Sequence, residues 1–234
     1  MAAREIRTGI IRCDMHGMYY GALMEKHDPA ILQRPGGWKS DTFKYSWQPG
    51  GAHFYFYTHY SAPWKITVPT ESGFRLVKVW DESPEAAAMF SRVFYDKPEV
   101  CRRFEDVSDG VDLVLIADCN GDGSDHWKLA SPGIKKGIPT FIDKPFAYDV
   151  GEARKLVALA RKHRTPIMST SLLGILPHVD YFKSGFGRIA PLHMGIVNGT
   201  GTTMAGHIHG ISLAQHLFGK DAEWVEVMGD TPLE

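Results

Sequence analysis

The chain has 234 residues, 44% hydrophobic and 23% charged, with 26 lysines and arginines against 27 aspartates and glutamates. That is enough for one sizeable domain or two modest ones, and it excludes a mainly disordered polypeptide. A formal net charge of -1 supplies no pull toward nucleic acid or an anionic membrane, so neither is expected as a partner and a small, neutral or mildly polar ligand is.

Three cysteines, Cys13, Cys101 and Cys119, lack CxxC spacing, which argues against a disulfide framework or a zinc cluster and for a reducing, cytoplasmic setting. The opening "MAAREIRTGII" is too poor in apolar residues for a signal peptide. No run approaches the ~18 apolar residues of a membrane span, so neither export nor insertion is expected.

In chain order, residues 6–11 predict a buried strand and residues 17–25 the helix after it, half of a βαβ unit. From about 27 to 73 the pattern changes to aromatics separated by Gly and Pro, read as an insertion in which "HFYFYTHY" (53–60) alternates like a strand or hairpin. Its rings suit a loop-rich buried excursion, a contact in a homo-oligomer, or sugar stacking. Regularity then returns. "FRLVKVW" predicts a strand ending at Asp81, and "SPEAAAMFSRVF" a helix capped by Ser83 with Pro84 in its first position. "VDLVLIAD" and "PTFID" are strands around the helix "HWKLASPGIKKG"; "DVGEARKLVALARKH" is an amphipathic helix and "TPIMSTS" the next strand. Strands alternating with helices predict a doubly wound parallel sheet, an α/β fold. Beyond about Leu172 the rhythm breaks: "LHMGIVNG" (192–199) reads as a strand, "HGISLAQHLFG" as a helix closed by Gly219, and "AEWVEVMG" (222–229) as another strand. The expected division is a dinucleotide-binding domain over 1–148, carrying the insertion, and over 149–234 a linker helix and the start of an α+β domain.

Several segments carry chemistry. "GIIRCDMHG" aligns with G-x-G-x-x-G as Arg12, Asp14 and Gly17, so only the helix-packing glycine is kept. Asp14 brings a negative charge to the expected diphosphate position, and Arg12 offsets it. Asp81 is the best match to the acidic residue that binds the adenine ribose, delayed by the insertion well beyond the usual ~20 residues. It serves equally as an anion at the N-terminus of the following helix. With Glu82 it would repel a 2′-phosphate, so NAD is expected over NADP. "DCNGDGSDH" (118–126) begins like a calcium loop, but position twelve is Leu129 where a bidentate glutamate is needed. It also follows a strand, at the edge where ligands of doubly wound sheets bind, which makes Asn120 and His126 cofactor-site candidates. "DKP", Asp143-Lys144-Pro145, ends the next strand at the same edge; its lysine suits a substrate hydroxyl, or is a surface partner of Asp143. His209, Ser212 and His216 share one helix face, and His207-x-His209 lacks the further ligand a metal site needs, so no metal is expected.

Taken together, "VDLVLIADCNGDGSDHWKLASPGIKKGIPTFIDKP" resembles the Gfo/Idh/MocA family, that of glucose-fructose oxidoreductase and inositol dehydrogenase, with Asp143-Lys144-Pro145 standing for its E-K-P. "AGHIHGISLAQHLFG" is similar to the family's D-x-x-x-H-x-x-D pattern. The resemblance implies a Rossmann-type domain followed by an α+β domain that this sequence only begins, and NAD as cofactor. It also implies a sugar or polyol substrate, with Lys144 orienting the reacting hydroxyl and His209 as the base that takes its proton. The family aspartate four before the histidine is Ala205 here and the later one is Ser212. These departures leave two alternatives to an oxidoreductase: a binding or scaffold protein without hydride transfer, and an NAD-assisted glycosidase or lyase.

Overall fold

Ile10 and Ile11 are sequence neighbours buried in different cores, one on each face of the first strand, as the two-residue period of extended chain requires. The computed structural model describes residues 5–36, 44–49, 51–199 and 203–226. Six strands, β1 (Ile6–Ile11), β2 (Phe74–Trp80), β3 (Glu99–Val100), β4 (Leu113–Ile116), β5 (Thr140–Ile142) and β6 (Ile167–Met168), pair in parallel in the order β3-β2-β1-β4-β5-β6. This is the Rossmann order, and the chain reverses direction across the sheet between β1 and β4.

One face is covered by α1 (Met15–Met24) and α4 (Pro84–Val93), whose Met18, Ala22, Ala87, Phe90 and Val93 meet Ile10, Leu76 and Val79. The other is covered by α5 (His126–Lys135) and α6 (Val150–His163), which bring Leu129, Ile134, Leu156 and Ala160 against Ile11, Val114, Ile116 and Ile142. The caps are local and legible: Ser83 Oγ accepts from Ala86 N at 3.2 Å, and the Asp149 side chain accepts from Glu152 N at 2.9 Å. Asp14 caps α1 in the same way and starts it at Met15, two residues earlier than the sequence pattern predicts.

The insertion is helical where a strand or hairpin was expected. It contains α2 (Pro29–Gln33) and α3 (Ala52–Phe56), and α3 buries Ala52 and Phe56, four apart, while Phe54 and Tyr55 face out. Gly51, at φ 73, makes the turn into it. Trp47 sits edge-on to Phe90, and Phe56 edge-on to Tyr19, so the insertion is part of the core beside α1 and α4. The α7 (Pro177–Ser184) and α8 (Met204–Phe218) helices follow the sheet. The strand expected over 192–199 is absent: the segment is mostly exposed and has no strand beside it among the described residues, and a lone strand leaves its backbone groups unpaired. Residues 222–226 are likewise not extended into a sheet, and the rest of that expected strand lies outside the described residues. Among the described residues no helix is long and apolar enough to cross a membrane.

Candidate active site

The strand ends of β1, β2 and β4 surround a cavity of about 260 Å³ whose wall includes Arg12, Asp14, Asp81, Glu82, Asp118 and Asn120. Arg12 adopts φ 75, the left-handed region that the first fingerprint glycine reaches without cost. Its guanidinium is held by Asp118 at 3.3 Å, by Asp125, and by Glu82 at 3.7 Å. Asp14 turns its carboxylate back onto the loop, accepting from Gly17 N at 2.9 Å and from Cys119 N at 2.5 Å. Burial pushes its carboxyl above the ordinary aspartate range, and those two amides pull it back. Gly17 has no room for a side chain, since a Cβ would stand 2.4 Å from the Arg12 carbonyl oxygen. The Asp81 carboxylate accepts from Cys13 N at 2.7 Å and from Ser83 N at 2.8 Å, so it ties β2 to the β1 turn.

The ends of β5 and β6 carry the second half. Asp143 and Lys144 are buried, at 2% and 4% exposure, which removes the surface-pair reading. Asp143 accepts from Asp118 N at 3.0 Å, from Lys144 N at 2.7 Å, and bonds His16 Nδ1 at 2.6 Å. Burial opposes the charged His16 ring, but hydrogen bonds with Asp143 and the Cys119 side chain outweigh it, and the imidazolium is held up to about 10. Lys144 Nζ donates to Cys119 O at 2.7 Å and to Ala205 O at 3.4 Å. Pro145 follows and leads into Phe146, whose carbonyl oxygen lies 3.3 Å from His126 Nδ1.

Ala205 is in the first turn of α8, and one turn later His209 faces the same centre. Its Nδ1 is 2.7 Å from Ser171 Oγ, and its pKa is lowered by burial and then by the charges of Lys144 and His16. The expected face of α8 holds: Gly174 lies against Ser212, and His216 pairs with Asp180 at 2.7 Å. Beside Lys144 opens a larger cavity, about 520 Å³, whose wall includes Ser169, Thr170, Ser171, Ser212 and Gln215.

Lys144 and His209 are thus brought together, and Arg12, Asp14, Asp81 and Asn120 share the other cavity. His126 lies apart from both, fully buried behind Asp118. His16, Asp125 and Ser171 escaped the sequence reading. The available signal was position, because each follows or faces the carboxyl end of a strand.

A dinucleotide fits the two ends of this edge: Gly17 lets α1 pack closely and Asp81 stands at the end of β2, while Lys144 and His209 converge beyond β5. At the diphosphate position between them, charge opposes the ligand. The amides of Gly17 and Cys119 are already bonded to a carboxylate, and the cavity wall sets four carboxylates against one guanidinium.

Residues 51–171, just over half of the chain, match the model of the oxidoreductase family with an NAD-binding Rossmann fold, Gfo/Idh/MocA. No curated protein matches the sequence. Among solved structures, a candidate myo-inositol dehydrogenase from Sinorhizobium meliloti superposes with a TM-score of 0.59 at 17% identity, covering 92% of this chain and 56% of that one. A 3-ketoreductase from Actinomadura kijaniata, in complex with TDP-benzene and NADP, gives 0.51 at 14% identity over 83% and 45%. Biliverdin reductase from Synechocystis, with biliverdin and NADP+, gives 0.50 at 16% identity over 79% and 43%. At such identities these likenesses concern the fold alone, and the chain spans about half the length of the structures it matches. With the parallel sheet, its order and the family match in hand, the chain belongs to the Gfo/Idh/MocA oxidoreductase family.

Proposed function

We propose that the chain carries the catalytic centre of an NAD(P)-linked oxidoreductase acting on a hydroxyl of a sugar or polyol. The observation that carries this reading is a cavity walled by Lys144 and by hydroxyl and amide side chains, which suit a polyhydroxylated ligand, with His209 bonded to Ser171 of that wall one turn of α8 beyond the Ala205 carbonyl that Lys144 contacts. When bound, a nicotinamide supplies the hydride acceptor. Two of the three Lys144 ammonium hydrogens are engaged by carbonyls, and the third is available to the substrate oxygen. His209 has its Nδ1 turned to Ser171, so Nε2 takes the hydroxyl proton; its lowered pKa keeps it neutral and able to do so at neutral pH. Ser171 supplies the orientation that the family aspartate, Ala205 here, does not.

Asp81 and Glu82 favour NAD over NADP by repelling a 2′-phosphate. A second reading, a family member that binds its ligand without hydride transfer, draws on Asp14 lying where a diphosphate would. The full chain, screened against sugars and polyols with NAD and NADP by NADH and NADPH absorbance, separates the two. Turnover that Lys144→Ala abolishes supports the oxidoreductase, and an absence of both turnover and cofactor binding at millimolar concentration overturns it.

A further inference from the structure

Read as a calcium loop, segment 118–126 fails for want of a ligand, but folded it assembles a different set of donors. One ligand atom from each of Asp118, Asp125 and His126 lies within 4.8 Å of the other two. His126 Nδ1 is 3.3 Å from the Phe146 carbonyl oxygen, which can only accept, so Nδ1 carries a hydrogen and Nε2 is the ring atom turned to the other side. Nε2 meets Asp118 Oδ2 at 3.1 Å. Neither atom has any other hydrogen-bond partner, although His126 and Asp118 are 0% and 3% exposed. A carboxylate oxygen and a ring nitrogen buried face to face call for a positive charge between them, supplied by a proton on Nε2 or by a metal ion.

The surroundings are those of a ligand set. A metal-binding histidine typically donates its second nitrogen to a carbonyl or carboxylate, as His126 does to Phe146. Asp118 Oδ1 is fixed by Gly121 N at 2.8 Å, which leaves Oδ2 for the site. Asp125 is partly exposed, and the neighbouring cavity, rich in carboxylates, draws cations toward it. Arg12 now spans Asp118 and Asp125, but its side chain is partly exposed and has Glu82 at 3.7 Å as another partner.

We propose that Asp118, Asp125 and His126 bind a divalent transition ion of the zinc class, an imidazole and two carboxylates favouring such an ion over magnesium or calcium. The site does not depend on hydride transfer. Its test is calorimetric titration of the full chain, treated with chelator and dialysed, with zinc chloride and, for comparison, magnesium chloride. The expected result is one zinc per chain, bound at least about tenfold more tightly than magnesium; His126→Gln and Asp125→Asn each weaken it about tenfold or more, and Arg12→Ala strengthens it. If His126→Gln does not fold, Asp125→Asn and Arg12→Ala, both at partly exposed positions, decide the matter. No saturable zinc binding, or zinc binding that Asp125→Asn leaves unchanged, overturns the proposal.

Discussion

Replacing Asp14 by serine separates the charge at the phosphate position from the cap that starts α1. Serine caps a helix about as well as aspartate, so the bond to Gly17 N has a replacement. It is too short to keep the second bond, and the Cys119 amide is released to a ligand. Asparagine would be a poorer choice, because its NH2 group would face that same amide donor to donor. At about 4 Å, two unit charges repel by about 1 kcal/mol in water and about 4 kcal/mol at the effective permittivity near a protein surface. Removing the carboxylate is therefore expected to tighten NAD binding by roughly fivefold to several-hundredfold, since each 1.4 kcal/mol or so is tenfold. The lost bond to Cys119 costs stability, partly offset because burying the Asp14 carboxylate is itself unfavourable. Calorimetry or fluorescence quenching with NAD on the full-length Asp14→Ser variant measures the gain, and thermal denaturation monitors the fold. A folded variant whose affinity stays within about twofold of the parent would refute the account of why this edge resists a diphosphate.

Loss of the base in His209→Ala is expected to lower turnover by roughly 10²- to 10⁴-fold. Because burial and the neighbouring cations depress His209, the acid limb of the parent's kcat/KM profile should lie below its ordinary value of 6.5. His16 is charged in the folded state up to about 10 and in the unfolded chain only to about 6.5, so its contribution to stability is complete below 6.5 and lost as pH rises toward 10. The thermal midpoint of the parent should fall across that window, and that of His16→Gln should fall less. Phe90→Ala, which opens a hole between Trp47, Phe94 and Gly21, should cost about 3–5 kcal/mol in urea unfolding. Turnover with NAD should exceed that with NADP, and Glu82→Ala should narrow the difference.

The sheet was legible because β1 ends in two isoleucines, β2 is mostly apolar and β4 wholly so, each followed by a helical stretch, and Ser83 with Pro84 announces α4 from sequence alone. The two-residue β3 was too short to carry a period. In the insertion, alternating aromatics imitate a strand, whereas tertiary packing selects residues four apart, Ala52 and Phe56, for burial. At the candidate site, residue type and the family resemblance singled out Lys144 and His209, but their neighbours come from distant segments: Ser171 from after β6, and His16 from the first turn of α1. No local spacing encodes those encounters. The Arg12 cluster shows the same limit, since Asp125 reaches it only through the fold of the loop after β4.

The bonds from Asp118 N to Asp143 and from Lys144 Nζ to Cys119 O cross between the same two strand ends, with opposite polarity. Cys119 is therefore a party wall: its amide is held by Asp14 in the cavity of Arg12, and its carbonyl anchors the lysine of the other. A ligand that shifts the backbone of Cys119 on one side must move the ammonium group on the other, so the two compartments cannot relax independently. The measurable counterpart is reciprocity, with each ligand altering the affinity of the other by the same factor.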